Sequence, residues 1–344
     1  MTTPPERARR CALIRQPDGT YRLTFEQVPV PAPAERDVLV RVRAASLNRR
    51  DVYVLKGQYP MPPRPTLVPL SDGAGEVISV GTAVRRFKPG DRVAALFFQR
   101  WIHGRPDAET PASALGGQLD GMLSEYVCLS EEGLVRVPQG YSYEEAATLP
   151  CAAVTAWNGL VTRGRMQAGD NVLLLGTGGV SIFGLQFAAA AGARPIVTSS
   201  SDEKLARAAA LGAAVTLNYA RTPEWGGAVR AATAGVGAHQ VLEVGGAGTL
   251  PQSLASLAPG GHIALIGGLS GFGGDIPAMA LLHANATVSG IYVGSRANFE
   301  AMTAFIEQHR IRPVIDRVFD LDDAADAYRR IDAGEHLGKV VIRL

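Results

Sequence analysis

Apolar and polar positions alternate with the period of a half-buried β-strand in the amino-terminal part of the chain. The clearest case is DVLVRVRAA at 37–45, and shorter strands are predicted at 73–80 and 91–95, with a KPGD turn between them. Residues 97–121 are rich in proline, glycine and small polar residues, which predicts a long surface loop. The pattern is therefore one of strands and turns up to about residue 145.

The pattern changes near Ser142. Ser142 and Glu145 have the spacing of a capping box, and residues 141–161 favour a helix. Alternating strands and helices of this length predict a parallel, doubly wound sheet, which is an α/β architecture. The predicted strands lie at 171–175, 195–198, 215–217, 240–244 and 262–266, and the helices at 180–191, 202–211, 223–232 (capped by Thr222, with Pro223 first) and 249–257.

The pattern changes again in the carboxyl-terminal part of the chain. Two helices are predicted at 299–309 and 322–333, followed by a last strand at 339–342. The α/β domain thus interrupts a second domain that is built from both ends of the chain. We expect one domain formed by residues 1–145 and 294–344, and an inserted domain formed by residues 146–293.

A glycine-rich turn follows the first apolar strand of the inserted domain, in VLLLGTGGVSIFGLQFA. Gly176 permits a tight turn, Gly178 lets the backbone approach a pyrophosphate, and the helix that follows offers free N–H groups and a positive dipole end. The third glycine of the usual fingerprint is replaced by Ser181, which is small enough to pack. We interpret Gly176, Gly178, Gly179, Val180 and Ser181 as a dinucleotide-binding turn rather than a plain structural turn.

The end of the next strand points to the cofactor. Dinucleotide sites for NAD place a carboxylate there, whereas this chain has Ser199, Ser200 and Ser201. Asp202 is assigned to the next helix, and Lys204 follows in its first turn. Serines and a lysine favour a 2′-phosphate, so the predicted cofactor is NADP(H). The alternative is that the serines only cap the helix and the lysine is a surface residue.

Charge and cysteine content exclude several classes of partner. Lys and Arg number 34 against 32 Asp and Glu, a formal net charge of +2, which argues against nucleic acid or an anionic membrane as partner. Three cysteines, Cys11, Cys128 and Cys151, fit a reducing compartment. No apolar run follows the first ten residues, and the most apolar stretch, 182–193, is too short to span a bilayer. We expect a cytoplasmic protein that acts on a small molecule.

Taken together, these motifs resemble the medium-chain dehydrogenase/reductase superfamily, and most closely its zinc-free, quinone-oxidoreductase-like branch. The resemblance extends over nearly the whole chain. It implies a GroES-like, mostly β catalytic domain, an inserted Rossmann domain, a cofactor cleft between them, and often a homodimer paired through the sheet edge at 287–292. The segments that carry it are LNRRDVYVLKGQYP, LSDGAGEV, RFKPGDRV, LPCAAVTAW, GTGGVS, TSSSDEKL, LNY and GKVVI.

The same resemblance places the catalytic zinc ligands of metal-dependent relatives at Asn48, Ser71 and Cys151. Only Cys151 is a good zinc ligand, and catalytic zinc sites use three protein ligands. Residues 97–121 contain no cysteine, so the four-cysteine structural zinc lobe is missing as well, and the six histidines have no metal-ligand spacing. We expect no metal. Cys151 is then either a nucleophile or a small buried residue.

Without zinc, side chains or water must stabilise the negative charge that develops when hydride reaches the acceptor. Asn48, Asp51, Tyr53 and Tyr59 are the candidates in LNRRDVYVLKGQYP. Resemblance to quinone and enoyl reductases matches Asn48 and Tyr53 to cleft residues and Tyr59 to a proton donor. The alternatives are that Tyr53 belongs to the core and that Asp51 pairs with a neighbouring arginine.

The resemblance also adds cofactor contacts. It places Thr155 near the nicotinamide, Tyr219 near the phosphate of the adenosine ribose, Gly267 and Gly268 after the fifth strand, and Lys339 near the carboxyl end. Tyr219 has the alternative of ordinary packing.

The predicted function is zinc-independent, NADPH-dependent hydride transfer to a quinone, activated alkene or carbonyl compound. One alternative is an NADP-linked alcohol dehydrogenase, and another, of a different class, is a non-catalytic NADPH-binding protein. Phe97, Phe98, Trp101 and His103 in the 97–121 loop either shape an apolar substrate pocket or only pack the loop. The substrate itself does not follow from the sequence.

Overall fold

The computed structural model describes residues 4–271, 273, 276 and 278–344. The chain forms two compact units, which we call the β-rich unit (residues up to 154 together with 294–344) and the Rossmann unit (residues 155–293). Residues 146–154 thus lie in the β-rich unit. In the described part of the chain, no helix has both the length and the apolar character needed to cross a membrane.

The amino-terminal part is mostly strand, with two short helices. The strands are β1 Arg7–Arg15, β2 Tyr21–Pro29, β3 Asp37–Leu47, β4 Thr66–Leu67, β5 Asp72–Val80, β6 Arg92–Ala95, β7 Tyr126–Ser130 and β8 Leu134–Arg136; the helices are α1 Arg49–Leu55 and α2 Tyr143–Ala147, with 3₁₀ turns at Pro111–Ser113 and Glu131–Gly133.

The middle of the chain alternates strand and helix as predicted. A helical stretch comes first, with α3 Val154–Trp157 between π-helical turns at Leu149–Ala153 and Asn158–Arg163. The elements that follow are β9 Asn171–Leu175, α4 Gly179–Ala190, β10 Arg194–Ser199, α5 Asp202–Ala210, β11 Val215–Asn218, α6 Trp225–Ala232, β12 Ala238–Glu243, α7 Leu250–Ser256, β13 Leu257–Leu265, α8 Ala278–Ala284 and β14 Thr287–Gly290.

The carboxyl-terminal part completes the β-rich unit. Its elements are α9 Arg296–His309, β15 Ile315–Asp320, a 3₁₀ turn Leu321–Asp323, α10 Ala324–Asp332 and β16 Lys339–Arg343. Strand β16 pairs antiparallel with β3, with Val340 opposite Leu47. This pairing brings the two ends of the chain into one sheet, ordered β15-β16-β3-β5-β6-β8, and β7 also pairs with β3. A smaller sheet has the order β2-β1-β4.

The Rossmann unit contains six parallel strands in the order β11-β10-β9-β12-β13-β14. Counted from β9, this is the order 3-2-1-4-5-6 of dinucleotide-binding folds. The order reverses between β9 and β12, and ligands of such sheets bind at the carboxyl ends of the strands at this point. The expected α/β fold, with a GroES-like sheet domain and a Rossmann domain, is confirmed.

Close packing of α4 on the sheet depends on Gly184. A Cβ atom at Gly184 would lie 2.6 Å from Leu242 Cδ1 and 2.8 Å from Leu174 Cδ2, which is far inside van der Waals contact. Gly184 therefore does the packing that the third glycine of the fingerprint usually does. Ser181 instead donates a hydrogen bond to Leu175 O, at 2.6 Å.

The starts of helices α2 and α6 compare differently with their predictions. The capping box before α2 is confirmed, since Glu145 N donates to Ser142 Oγ (3.1 Å) and Ser142 N donates to Glu145 Oε2 (2.8 Å). The start of α6 was predicted wrongly at Pro223 with Thr222 as cap, because the helix begins at Trp225. Gln252 Oε1, from α7, accepts from Gly226 N at 2.8 Å, so a tertiary contact supplies this cap.

The predicted surface loop at 97–121 is partly wrong. Phe97 and Phe98 are each 2 % exposed, and Leu115 is 1 % exposed. The two phenylalanine rings meet edge to face with centroids 4.7 Å apart. Composition alone predicted exposure, whereas the few large apolar residues at the ends of the segment anchor it in the core. The segment is irregular as expected, and His103 is exposed.

The amino-terminal prediction also missed a helix. Residues 49–55 were expected to be strand or turn but form α1, on whose first turn Asp51 is buried. Strands β1, β2 and β15 were missed as well, because charged residues interrupt their apolar pattern.

Candidate active site

Asn48 lies between the end of β3 and the start of α1. Its backbone N–H donates to Asp51 Oδ2 at 2.7 Å, which fixes the first turn of the helix. Asn48 and Asp51, both predicted as site residues, are therefore in direct contact, and the sharp strand-to-helix transition holds them.

The side chain of Asn48 is oriented by Lys339. Lys339 Nζ donates to Leu47 O at 2.6 Å and to Asn48 Oδ1 at 2.6 Å, and the residue is only 3 % exposed. An ammonium group has donors and no acceptor, so it must face the oxygen of the carboxamide. Asn48 Nδ2 is buried and has no hydrogen-bond partner among the described residues. An unsatisfied donor of this kind costs about 1–3 kcal/mol.

Asp72, at the start of β5, connects the remaining polar groups. Ser71 Oγ donates to its Oδ1 at 2.7 Å, Cys151 N donates to its Oδ2 at 3.3 Å, and Lys339 Nζ lies 3.7 Å from Oδ2. Burial raises the pKa of Asp72, and the charge of Lys339 opposes this rise. A hydrogen bond of the Asn48 carboxamide also lowers the pKa of Asp72, and its geometry is poor, because Asn48 Nδ2 has no partner at normal hydrogen-bond distance and angle among the described residues.

A second buried ion pair adjoins the first. Arg50 donates to Leu115 O at 2.5 Å, and its guanidinium carbon lies 4.4 Å from the centroid of the Phe97 ring. Its nearest contact with Asp51 is 3.7 Å. Burial raises the pKa of Asp51 to about 6, and Arg50 opposes this rise. The expected pairing of Asp51 with a neighbouring arginine is present, and the β-rich unit buries two cations beside two carboxylates.

The two candidate tyrosines lie on α1 and just after it. Both are half-buried. The guanidinium carbon of Arg49 is 5.4 Å from the ring centroid of Tyr53, and that of Arg50 is 5.7 Å from the ring centroid of Tyr59. Tyr59 N donates to Tyr53 O at 3.2 Å, so the turn after the helix sets the position of Tyr59.

The donor set at Asn48, Ser71 and Cys151 does not fit zinc. It offers a carboxamide, a hydroxyl and a single thiol, whereas catalytic zinc sites use three strong protein ligands. Burial raises the pKa of the Cys151 thiol to about 12. The ammonium of Lys339, 2.6 Å from Asn48 Oδ1, would also repel a dication. The described residues contain no group of three or more His, Cys, Asp or Glu side chains placed to hold a metal ion. The same raised pKa makes Cys151 a poor nucleophile.

In the Rossmann unit, the predicted phosphate turn has the expected shape. Gly176 has φ +73°, a conformation that favours glycine, and Gly178 caps α4. Gly178 has an ordinary φ of −74°, and a Cβ atom there would meet no heavy atom within 4 Å. Neither strain nor packing requires this glycine, so its missing side chain leaves open space above the helix N-terminus. This space fits the pyrophosphate of a dinucleotide.

Two of the three serines at the end of β10 accept hydrogen bonds from nearby backbone N–H groups. Ser199 Oγ accepts from Ser201 N at 3.2 Å, and Ser201 Oγ accepts from Lys204 N at 3.3 Å, which caps α5. The interpretation as helix caps therefore applies to this pair. Ser200 is exposed at the strand end.

Arg221 is a candidate cofactor residue that the sequence analysis missed. Its NH2 group lies 2.5 Å from Asp202 Oδ1, and Asn218 Nδ2 donates to the same oxygen at 2.8 Å. Tyr219, between them, is 43 % exposed, and its N–H donates to Ser199 O. The segment that follows β11 thus carries an exposed tyrosine and an arginine two residues apart, next to the end of β10. The signal in the sequence was a cation two residues after LNY.

Glu243 is a second missed residue. This fully buried carboxylate at the end of β12 accepts from Gly245 N (2.8 Å), Gly246 N (3.0 Å) and Thr249 Oγ1 (2.6 Å), and also from Ser253 Oγ. It fixes the loop at the carboxyl end of the sheet. The loop after β13, which contains Gly267 and Gly268, is held to this one by a hydrogen bond from Ser270 N to Gly245 O at 2.7 Å.

Thr155 and Lys339 are the two remaining predicted cofactor residues. Thr155 is 3 % exposed in the Rossmann unit. Lys339 lies in the β-rich unit, where its hydrogen bonds go to Leu47 and Asn48, so its contact with a cofactor stays a prediction.

Two family models match the chain. A model described as the alcohol dehydrogenase GroES-like domain matches residues 34–139, and a model described as zinc-binding dehydrogenase matches residues 179–308. A zinc-type alcohol dehydrogenase-like protein of Schizosaccharomyces pombe is 48 % identical over 95 % of this chain and 96 % of its own length. An acryloyl-coenzyme A reductase of Metallosphaera sedula is 30 % identical over 92 % of this chain and 95 % of its own.

Solved structures agree with these matches. An alcohol dehydrogenase-type protein from Sinorhizobium meliloti 1021 superimposes with a TM-score of 0.93 at 42 % identity, over 99 % of this chain and 100 % of that one. An NAD-dependent alcohol dehydrogenase gives 0.86 at 34 % identity, over 97 % and 99 %. A 2-octenoyl-CoA carboxylase reductase in complex with NADP and 2-octenoyl-CoA gives 0.87 at 25 % identity, over 99 % and 88 %.

The raised pKa of Asp51 predicts a pH-dependent effect of Asp51→Asn. Between about pH 4 and pH 6 the folded protein keeps a proton that the unfolded chain has lost, so ionisation of Asp51 lowers the free energy of unfolding as the pH rises. The variant should match wild type near pH 4 and be more stable at pH 7, by up to about 3 kcal/mol. Urea unfolding at both pH values measures this.

Asp18→Asn is the control of opposite sign, since the Thr20 hydroxyl lowers the pKa of Asp18. Removing that carboxylate should reduce stability more at pH 7 than at low pH. An Asp51→Asn variant that loses stability relative to wild type between pH 4 and pH 7 would contradict the assignment.

Proposed function

Because the chain belongs to the medium-chain dehydrogenase/reductase superfamily and is an oxidoreductase with a nicotinamide cofactor, we propose that it is a zinc-independent, NADPH-dependent reductase. Its substrate class is a quinone, an activated alkene or a carbonyl compound. The observation that carries the proposal is the donor set at Asn48, Ser71 and Cys151, which has one strong zinc ligand and an ammonium group beside Asn48.

The preference for NADP(H) is supported by the ends of β10 and β11. Ser200, Lys204, Tyr219 and Arg221 are polar or cationic. Asp202 and Glu203 lie in the first turn of α5, and Asp202 is engaged by Arg221 and Asn218. A 2′-phosphate would offer Arg221 a stronger partner than the exposed Asp202 carboxylate. The 2-octenoyl-CoA carboxylase reductase was solved with NADP, whereas another similar structure is named as NAD-dependent.

When bound, NADPH supplies a hydride to the electrophilic carbon of the acceptor. The residues of the β-rich unit then stabilise the oxygen atom that gains negative charge. Asn48 and Tyr59 are the candidates for this role, and the Tyr59 hydroxyl can deliver a proton. Asp51 and Tyr53 hold the helix and the turn that position these two groups.

An NADP-linked alcohol dehydrogenase is the second candidate. It is favoured by the names of the relatives, one of which is called zinc-type alcohol dehydrogenase-like and another NAD-dependent alcohol dehydrogenase. The enoyl-CoA and acryloyl-CoA reductases among the similar proteins favour the first candidate.

We also propose a homodimer that forms through the edge strand β14. The helix that precedes it, α8, exposes the apolar side chains of Met279 (59 %) and Leu282 (67 %), which a second chain could cover. Light scattering would give the mass of two chains.

Cys11, Cys128 and Cys151 are free thiols, which supports our proposal of a cytoplasmic location.

Cofactor preference is measurable by titration of NADPH and NADH fluorescence. Wild type should bind NADPH at least about tenfold more tightly than NADH, because charge-assisted hydrogen bonds to the 2′-phosphate contribute roughly 1.5–3 kcal/mol. Arg221→Ala should weaken NADPH binding by about tenfold and leave NADH unchanged. Arg207→Ala, at the other end of α5, is the control. Equal dissociation constants of wild type for the two cofactors would exclude the NADP preference.

Substrate class is tested by NADPH oxidation with a quinone, an enone and an aldehyde, beside NADP⁺ reduction with primary alcohols. Turnover of the enone or quinone without alcohol oxidation is the expected result. Tyr59→Phe should lower kcat by at least about tenfold, as expected for loss of a general acid, and Tyr53→Phe should have a smaller effect. An unchanged kcat in Tyr59→Phe would remove this tyrosine from the mechanism. Alcohol oxidation alone would favour the second candidate.

A further inference from the structure

The carboxylate of Glu243 is fully buried at the carboxyl end of β12. Its Oε1 atom accepts hydrogen bonds from Gly245 N at 2.8 Å, Gly246 N at 3.0 Å and Thr249 Oγ1 at 2.6 Å. Its Oε2 atom accepts a hydrogen bond from Ser253 Oγ. Four donors therefore converge on one side chain, which fixes the loop that leaves β12 and the first turn of α7.

A second loop lies directly against the first. We call residues 244–249 the β12 loop and residues 266–271 the β13 loop. Ser270 N and Ser270 Oγ both donate to Gly245 O, each at 2.7 Å. In the other direction, Gly248 N donates to Ser270 Oγ at 3.0 Å. The two loops are thus joined by hydrogen bonds that run both ways.

The two loops approach each other so closely that glycine is needed between them. A Cβ atom at Gly246, where φ is +86°, would lie 2.5 Å from Gly271 O. A Cβ atom at Gly267 would lie 2.7 Å from Val244 O. Both obstacles are backbone atoms, which cannot turn aside as the end of a side chain can. Gly267, which is predicted to contact the cofactor, therefore lies in a loop that Glu243 holds through the other loop.

The joined loops lie on the opposite side of the switch point from the phosphate turn. The strand order reverses between β9 and β12, and a dinucleotide bound at such a point places one mononucleotide over each half of the sheet. The adenosine ribose is recognised at the end of the second strand, which is β10 here. The adenosine half then belongs to β9, β10 and β11, and the nicotinamide half belongs to β12 and β13 with their loops.

We propose that Glu243 is a positioning residue, which holds the β12 and β13 loops together as one rigid support for the nicotinamide half of the cofactor. Glu243 itself does not touch the cofactor, because its carboxylate is buried and engaged by the loop and α7. Hydride transfer needs the nicotinamide in a narrow range of positions. A support that is ordered before binding reduces the entropy that binding removes. The inference rests on the nicotinamide cofactor of the proposed function, but not on its acceptor.

Stability alone is the competing explanation. A buried carboxylate with four hydrogen bonds would stabilise the Rossmann unit whether or not a cofactor binds there. Loss of such a residue would weaken binding of both halves of the cofactor alike, or of neither. Loss of a positioning residue would weaken binding of the whole cofactor and leave binding of its adenosine half unchanged.

The experiment therefore compares NADPH with adenosine 2′,5′-bisphosphate, which is its adenosine half, and measures both dissociation constants by calorimetry. Thr249→Val removes one hydroxyl donor to Glu243. Thr233→Val is the matched control, because Thr233 Oγ1 accepts from Gly237 N at 2.8 Å and fixes the loop at the opposite, amino end of β12. Glu243→Met removes the acceptors at similar volume, and Glu243→Gln keeps a carbonyl oxygen for the Oε1 contacts.

Glu243→Met should weaken NADPH binding at least about tenfold, while the affinity for adenosine 2′,5′-bisphosphate stays within about twofold of wild type. Glu243→Gln should bind NADPH within about threefold of wild type, because the hydrogen bonds of the loop remain. Thr249→Val should weaken NADPH binding by about threefold to tenfold. Thr233→Val should lower the melting temperature and change neither affinity.

Equal losses of affinity for NADPH and for adenosine 2′,5′-bisphosphate would overturn the positioning role, and so would unchanged NADPH affinity in Thr249→Val. Circular dichroism checks folding, and Thr249→Val decides if Glu243→Met does not fold, since Thr249 is only partly buried. The titration needs no acceptor, so a failure of the proposed reductase function leaves it intact. If wild type prefers NADH, the same comparison is made with NADH and adenosine 5′-monophosphate.

Discussion

The hydrogen bond between the Lys339 ammonium and the Asn48 carboxamide is the interaction on which the site depends. This hydrogen bond holds a positive charge in the interior of the β-rich unit. The other buried polar groups compensate that charge or form hydrogen bonds with the groups that do. Asp72 must be present to compensate the charge, and Ser71 Oγ and Cys151 N complete the hydrogen bonds of Asp72. The carboxamide of Asn48 must turn its oxygen to the lysine. Its Nδ2 group is then buried on the side away from the ammonium, with no well-formed hydrogen bond among the described residues.

This arrangement depends on the pairing of β16 with β3, which joins the two ends of the chain. The Rossmann unit lies between these ends in sequence, so the β-rich unit closes its sheet only when the last strand returns. Such non-local pairing carries a high entropic cost of closure, and burial of Val340 and Ile342 beside Leu47 offsets it. The contact between Lys339 and Asn48 is thus a product of the fold's topology.

The sequence predicted the Rossmann unit well, because its strands and helices alternate with clear periods and its glycine turn has a local physical reason. The prediction failed where a residue that is distant in sequence determines the local structure. Gln252 from α7 caps α6, and aromatic anchors bury the ends of the 97–121 segment. The site followed the same rule: Asn48 and Asp51 are neighbours in sequence and were found, whereas Arg221, Glu243 and the role of Asp72 depend on contacts between elements.

The central claim is the proposal that this chain is an NADPH-dependent reductase that works without zinc. The most direct test measures zinc per chain and NADPH-dependent turnover in the same purified preparation, before and after treatment with a chelator. We predict zinc far below one ion per chain and turnover that the chelator leaves unchanged. Turnover that rises and falls in proportion to bound zinc would contradict the account.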